Sequence, residues 1–297
     1  MDPVDMLLRA LEYYLVPRLP PSAFREEVHS VLYSRRWGDD PFYRGFRVRQ
    51  KKGHAVVAYR GLEYRLLCRH YAELELRTMT GYLLRGPPRR GGVVVDGGAY
   101  RGAFTVLAAQ MVGPDGLVLA FEPDRHNRER LRANVEMNDL GNVVIVPKGL
   151  WSEDRRMAFC EYGEDFSALS SDDIHCNVNE RHEANSEVEV ASLDRELERQ
   201  GVDRLDFLKL DVEGAEIEAV RGARDTLTNH DVRVAIASYH QVDGRKTCYE
   251  VERLLRDYGY HAETNFPLHL TTYAHRGGGV AMNPAPWPAW DGRPAQA

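Results

Sequence analysis

Asp211 and Glu213 follow the apolar run Phe207-Leu208-Lys209-Leu210, and His240 ends the run from Val232 to Tyr239. Both runs read as strands, and alternate residues of a strand face the same side. Two carboxylates and an imidazole therefore collect at neighbouring strand ends, and such a set suits two kinds of chemistry. His240 can take a proton from a substrate hydroxyl as general base, with Asp211 orienting it or the hydroxyl. Alternatively, all three residues can hold a divalent metal that lowers the hydroxyl's pKa. Two acids and one histidine make a thin metal set, so direct base catalysis is favoured and no metal is assigned. Glu216, in the first turn of the following helix, reads as a capping residue at the helix dipole.

A second set lies upstream. Val93-Val94-Val95 end at Asp96, and Gly97-Gly98-Ala99-Tyr100-Arg101-Gly102 turn the chain into a helix that begins at Ala103. This is the first strand–loop–helix of a doubly wound sheet, which binds ligands at the carboxyl ends of its strands. A phosphate-binding loop needs Lys after its last glycine, and Ala103 stands there. A dinucleotide loop keeps acids away from the strand tip, where pyrophosphate sits. Asp96 at that tip repels an anion and attracts the cationic methionine moiety of S-adenosyl-L-methionine. Glu122, followed by Pro123, ends Leu117–Phe121 and lies 20 residues after Gly102, a spacing at which an acid accepts hydrogen bonds from ribose. Gly149 and Leu150 fall in the loop that would flank adenine. The expected cofactor-binding residues are therefore Asp96, Gly97, Gly98, Ala99, Tyr100, Gly102, Glu122, Pro123, Gly149 and Leu150, together with Asp211.

The elements that must position these residues follow from periodicity. Residues 1–92 open with helical patterns near 4–16 and 22–35. Three alternating runs, 46–49, 55–59 and 64–68, then read as an antiparallel meander. Gly86-Pro87-Pro88-Arg89-Arg90-Gly91-Gly92 breaks the pattern. From 93 to 282 strands at 93–96, 117–122, 143–146, 186–191, 206–212 and 233–239 alternate with helices at 102–112, 125–138, 193–200, 215–228 and 247–258. Runs near 260–265 and 269–274 read as a closing antiparallel pair. The alternation implies an α/β, mainly parallel sheet with helices on both faces. A polar stretch at 167–175 lies where a lid for the acceptor would sit, and the tail at 283–297 is Pro-rich.

Composition sets the wider limits. The chain of 297 residues is 43% hydrophobic and 28% charged, ordinary for a globular protein. No run approaches the length of a membrane span, and a cytoplasmic address is the default. Cys68, Cys160, Cys176 and Cys248 are too scattered for a disulfide framework or a zinc–thiolate set. The net charge of −6 divides unevenly: residues 1–92 hold 17 Lys+Arg against 10 Asp+Glu, and the remainder 22 against 35. A basic N-terminal zone could face an anionic partner, but the acidic remainder argues against a protein that coats nucleic acid.

The sequence resembles the FkbM family of methyltransferases. The resemblance rests on Val95-Asp96-Gly97-Gly98-Ala99-Tyr100-Arg101-Gly102, on Phe121-Glu122-Pro123-Asp124 and above all on Phe207–Glu216, continued through Val220-Arg221-Gly222-Ala223 and preceded by Ala191-Ser192-Leu193-Asp194. It covers roughly residues 90–275, and Tyr100 stands where the family more often carries Asn. It implies a Rossmann-like class I methyltransferase fold, with seven strands of which the last is antiparallel. It also implies S-adenosyl-L-methionine-dependent O-methylation of a hydroxyl on a small-molecule, glycan or glycolipid acceptor.

Other functions stay open beside it. A dinucleotide-dependent oxidoreductase is disfavoured by Asp96 and by the glycine spacing. An RNA or other nucleic-acid methyltransferase would use the basic N-terminal zone. Amino-group methylation of bases, however, goes with an Asn/Asp-Pro-Pro-aromatic run, and Asp211-Val212-Glu213-Gly214 stands there instead. A cofactor sensor without catalysis is a fourth reading.

Overall fold

The computed structural model describes residues 46–51, 53–67, 79–160, 168–170, 186–265 and 270–276. The helical patterns at 4–16 and 22–35, the tail and most of the polar stretch 167–175 lie outside the described residues. The alternating runs near the start form an antiparallel meander of β1 (Phe46–Lys51), β2 (His54–Tyr59) and β3 (Leu62–Leu66). Arg60 and Gly61, with φ of 48° and 84°, make its second turn.

The chain divides into two compact units between Thr80 and Gly81. The sequence reading placed a boundary at 92; the chain from Gly81 onward is bonded to the sheet that follows. Tyr273 donates to the Gly81 carbonyl (2.6 Å), Tyr82 donates to Asp211 and Arg85 pairs with Glu263.

The second unit runs β4 (Val93–Gly97), α1 (Ala103–Val112), β5 (Leu117–Phe121), α2 (Arg125–Met137), β6 (Val143–Val146), β7 (Gly149–Leu150), β8 (Arg155–Cys160), β9 (Ala168–Ser170), β10 (Ser186–Ala191) and α3 (Leu193–Arg199). It continues with β11 (Phe207–Leu210), α4 (Glu216–Arg221), α5 (Arg224–Asn229), β12 (Arg233–Ala237), β13 (Gln241–Val242), β14 (Arg245–Lys246), α6 (Cys248–Asp257), β15 (His261–Asn265) and β16 (Thr271–His275). Seven strands form one sheet in the order β15-β16-β12-β11-β4-β5-β6. All neighbours from β12 to β6 pair in parallel, and β16 runs antiparallel between β12 and β15. This is the Rossmann-like methyltransferase arrangement, with its last strand inserted rather than added at the edge. β4 and β11 are buried throughout, as strands covered on both faces must be.

Three sequence-based boundaries move. The strand expected at 186–191 joins β7, β8 and β9 in a separate four-stranded sheet. The helix expected at 215–228 is two helices. Asp194, in the segment before the family's main motif, caps the second by accepting from the amides of Asp225 and Thr226 (both 2.9 Å) and from the Thr226 hydroxyl (2.6 Å). β11 ends at Leu210, so Asp211 and Glu213 lie in the loop beyond it, and His240 stands three residues past β12.

Strand order reverses between β4 and β11, since β5 and β6 extend one way from β4 and β12 the other. Ligands of open α/β sheets bind at such a switch point, beyond the carboxyl ends of the strands. Among the described residues, no helix is long and apolar enough to cross a membrane.

Candidate functional site

Register builds the centre of the site. Lys209 of β11 stands opposite Asp96 of β4, and its ammonium lies 2.9 Å from Asp96 Oδ1. It also donates to the carbonyls of Gly98 (2.8 Å) and Gly97 (3.3 Å). Thr105 Oγ1 donates to Asp96 Oδ2 (2.6 Å). Both oxygens of the fully buried Asp96 are thus engaged within the protein. Asp96, expected to draw the cationic end of the cofactor, is the partner of Lys209 and Thr105 in this structure. The rings of Tyr82 and Phe104 flank the ammonium at 5.5 and 5.9 Å. Lys209 and Tyr82 were missed as site residues. A lysine inside Phe-Leu-Lys-Leu, across from an acid, was the signal for the first.

The glycines also serve packing. At Gly98, φ is 72° and a Cβ would stand 1.8 Å from the Asp211 carbonyl oxygen, so only glycine fits. Gly97 faces Leu210 and Leu150, and Gly102 (φ 86°) faces Leu131. At these two positions the close neighbour is protein, where the sequence reading expected ligand. Leu150 likewise belongs to the main apolar core, and Gly149 pairs with Val190.

Glu122 lies just beyond β5 and is 6% exposed. Its Oε2 accepts from the Tyr100 amide (2.7 Å) and its Oε1 from the Asp124 amide (2.9 Å). Tyr100 has φ of 52°, which turns its N–H toward the carboxylate. Burial pushes the Glu122 pKa up to about 8, against the opposing pull of these two amides. Ala99 and Gly98 donate to the Phe121 carbonyl, so the loop after β4 is tied to the end of β5. The Pro123 carbonyl accepts from Arg128 (2.5 Å). Arg101 stacks over Tyr100 at 4.6 Å, and its buried Nε has no hydrogen-bond partner among the described residues.

Asp211 and His240 come together as the sequence suggested, in company it did not show. The Asp211 amide donates to the Gly97 carbonyl (3.0 Å), and Tyr82 donates its hydroxyl to Asp211 Oδ2 (2.8 Å). Burial and the Asp211 charge push the Tyr82 phenol well upward, so it remains a donor. His240 Nε2 lies 3.1 Å from Glu213 Oε2 and 4.0 Å from Asp211 Oδ1. Its Nδ1 lies 3.0 Å from Glu216 Oε1. Glu216 is fully buried, and its Oε1 also accepts the amides of Val212 (3.3 Å) and Gly214 (3.1 Å). It is the expected helix-start residue and a histidine partner as well.

Burial draws the His240 pKa down, but the carboxylates of Glu216 and Glu213 outweigh it and hold the imidazole well above its ordinary value. Burial raises Glu213, against the pull of His240. The surrounding carboxylates therefore favour the protonated form of His240. The expected general-base role of His240 requires the imidazole to give up that proton before it can accept another.

Residues 96–262 match the methyltransferase FkbM domain. Methyltransferase 1 of Beauveria bassiana (strain ARSEF 2860) is 28% identical over 149 residues, covering 44% of this chain and 58% of that protein. In overall structure the chain is similar to methyltransferase FkbM from Methylobacillus flagellatus KT, with 18% identity, 92% of this chain and 58% of that one covered, and a TM-score of 0.45. It is also similar to Aeropyrum pernix fibrillarin, solved with natively bound S-adenosyl-L-methionine, with 13% identity, 78% and 83% covered, and a TM-score of 0.43. The chain thus spans under two thirds of the first two relatives. The family match takes in Asp96, Glu122, Lys209, Asp211 and His240, and by it the chain belongs to the FkbM methyltransferase family.

Proposed function

We propose that this chain is an S-adenosyl-L-methionine-dependent O-methyltransferase acting on a hydroxyl of a small or sugar-bearing acceptor. One observation carries the reading: the Asp211 carbonyl fills the space beside Gly98, so the cofactor loop and the Asp211–Glu213–His240 set meet at one point of the sheet. A methyl donor and an acceptor hydroxyl placed there would be neighbours.

The residues present fit the donor. Glu122 holds two backbone amides and keeps lone pairs for two ribose hydroxyls. The unpartnered Nε of Arg101 is a donor for the methionine carboxylate. Asp211, beside Gly98, offers a carboxylate to the amino group. When bound, S-adenosyl-L-methionine supplies a methyl group already activated on a sulfonium. The remaining work is positioning and proton removal, and positioning alone can supply much of the rate. The Asp211 and Glu213 carboxylates can accept a hydrogen bond from the acceptor hydroxyl and share its proton as the oxygen attacks. Tyr82 holds Asp211 in place from behind, and Glu216 holds His240.

Incubation with methyl-labelled S-adenosyl-L-methionine and a set of alcohols and glycosides tests this reading. Label should appear as a methyl ether, and Asp211→Asn should reduce it. Label found only on nitrogen or carbon would overturn the O-methyl assignment.

A further inference from the structure

We infer that Asp211 Oδ1, Glu213 Oε2 and His240 Nε2 form the protein side of a divalent-cation site. The ligand atoms of these three residues lie within 4.8 Å of one another. Nε2 stands 3.1 Å from Glu213 Oε2, yet neither ring nitrogen of His240 makes an aligned hydrogen bond among the described residues. That combination is unusual for a histidine beside carboxylates, and it has a simple geometric reading. Two atoms that each sit ~2.1 Å from one ion, at about a right angle, stand ~3 Å apart and point at the ion rather than at each other. Asp211 Oδ1, 4.0 Å from Nε2, is a buried oxygen without a hydrogen-bond partner among the described residues.

The supporting residues strengthen the assignment. A histidine that ligates through one nitrogen usually gives the N–H of the other to a carboxylate or carbonyl, which fixes the ring. Glu216 Oε1, 3.0 Å from Nδ1 and anchored by the amides of Val212 and Gly214, is the carboxylate within reach of that N–H. Tyr82 does the same for Asp211: it takes Oδ2 and leaves Oδ1 turned toward His240. Two of the three inner groups, Asp211 and His240, thus have an outer partner beside them. Two carboxylates and one imidazole also leave coordination positions open for water or a substrate oxygen.

The site itself stands on geometry alone. Its use in catalysis rests on the methyltransferase reading: an ion there would bind the acceptor oxygen beside the cofactor loop and lower the pKa of its hydroxyl. On binding, the ion would take the place of the His240 proton as the positive charge among the carboxylates, and that proton would be released to solvent.

The test is Mn2+ titration of the chelator-treated full chain. It is followed by electron paramagnetic resonance of the free ion and by calorimetry, with S-adenosylhomocysteine binding measured on the same sample. The wild type should bind one ion per chain. Asp211→Asn and His240→Gln should abolish binding. Glu216→Gln and Tyr82→Phe, which leave the ligands in place, should weaken it about tenfold or more. A wild type that takes up none of Mn2+, Mg2+ and Zn2+ would overturn the site, as would variants that bind Mn2+ as the wild type does. If S-adenosylhomocysteine binds but no metal does, the site fails and the methyltransferase reading stands. If metal binds without S-adenosylhomocysteine, the reverse holds.

Discussion

The ammonium of Lys209 meets the carboxylate of Asp96 at 2.9 Å across two adjacent parallel strands, in a part of the sheet from which both side chains are nearly excluded from water. The same ammonium holds the Gly97 and Gly98 carbonyls. One buried cation therefore holds together the loop proposed to receive the cofactor.

Removing that cation leaves Asp96 buried and uncompensated. Lys209→Met should cost about 3–5 kcal/mol of unfolding free energy in a urea titration. The double variant Lys209→Met/Asp96→Asn should recover much of the loss. A single variant within 1 kcal/mol of wild type, an order-of-magnitude threshold, would show that the pair does not hold the loop.

Gly98→Ala tests the junction between the two loops. A left-handed φ costs an alanine about 1–2 kcal/mol, and the added carbon would collide with the Asp211 carbonyl. The melting temperature should fall, and S-adenosylhomocysteine affinity should fall at least about tenfold with it. Unchanged affinity in a folded variant would separate the two loops functionally.

Glu122 gives the site a pH dependence. Its pKa in the folded chain is about 8, above the ordinary 4.5, so the folded state holds this proton more tightly than the unfolded one. The stability it contributes is complete below pH 4.5 and is lost as pH rises through 8. Glu122→Gln should flatten that part of the pH–stability curve. Ribose hydroxyls donate to the ionised form, so S-adenosylhomocysteine should bind more tightly as pH rises toward 8, releasing protons. Calorimetry in buffers of different ionisation heat would detect the release, and its absence would remove Glu122 from ribose recognition.

His240 should matter for transfer and not for cofactor affinity. His240→Gln is expected to leave S-adenosylhomocysteine binding within about twofold and to lower methyl transfer at least ~10²-fold, as expected when the Asp211–Glu213–His240 set loses a member that holds the ion activating the acceptor hydroxyl. Unchanged transfer would take His240 out of the mechanism.

Much of this arrangement could be read from the chain. Strand–helix alternation predicted the sheet, and acids at strand ends marked Asp96, Glu122 and Asp211. What local pattern could not show was pairing between distant residues. Lys209 reads as an oddity in an apolar strand until the register sets it against Asp96. Tyr82 was assigned to the N-terminal zone because the Gly-Pro run after it resembles a boundary, yet its hydroxyl reaches Asp211. Glu213 was read at the end of a strand, whereas its φ of 51° places it in a turn, a conformation for which a glutamate gives no signal. The set of Asp211, Glu213 and His240 was legible, but the further carboxylate beside His240, that of Glu216, read only as a helix cap because its approach to the ring exists only in the folded chain.

The central claim, that the loop after β4 binds S-adenosyl-L-methionine, is tested most directly by calorimetry on the full chain with S-adenosylhomocysteine and with NAD. The structure predicts that S-adenosylhomocysteine binds, that Glu122→Ala weakens it about tenfold or more, as expected for lost hydrogen bonds to a charged group, and that NAD does not bind. Binding of NAD without S-adenosylhomocysteine would contradict the account.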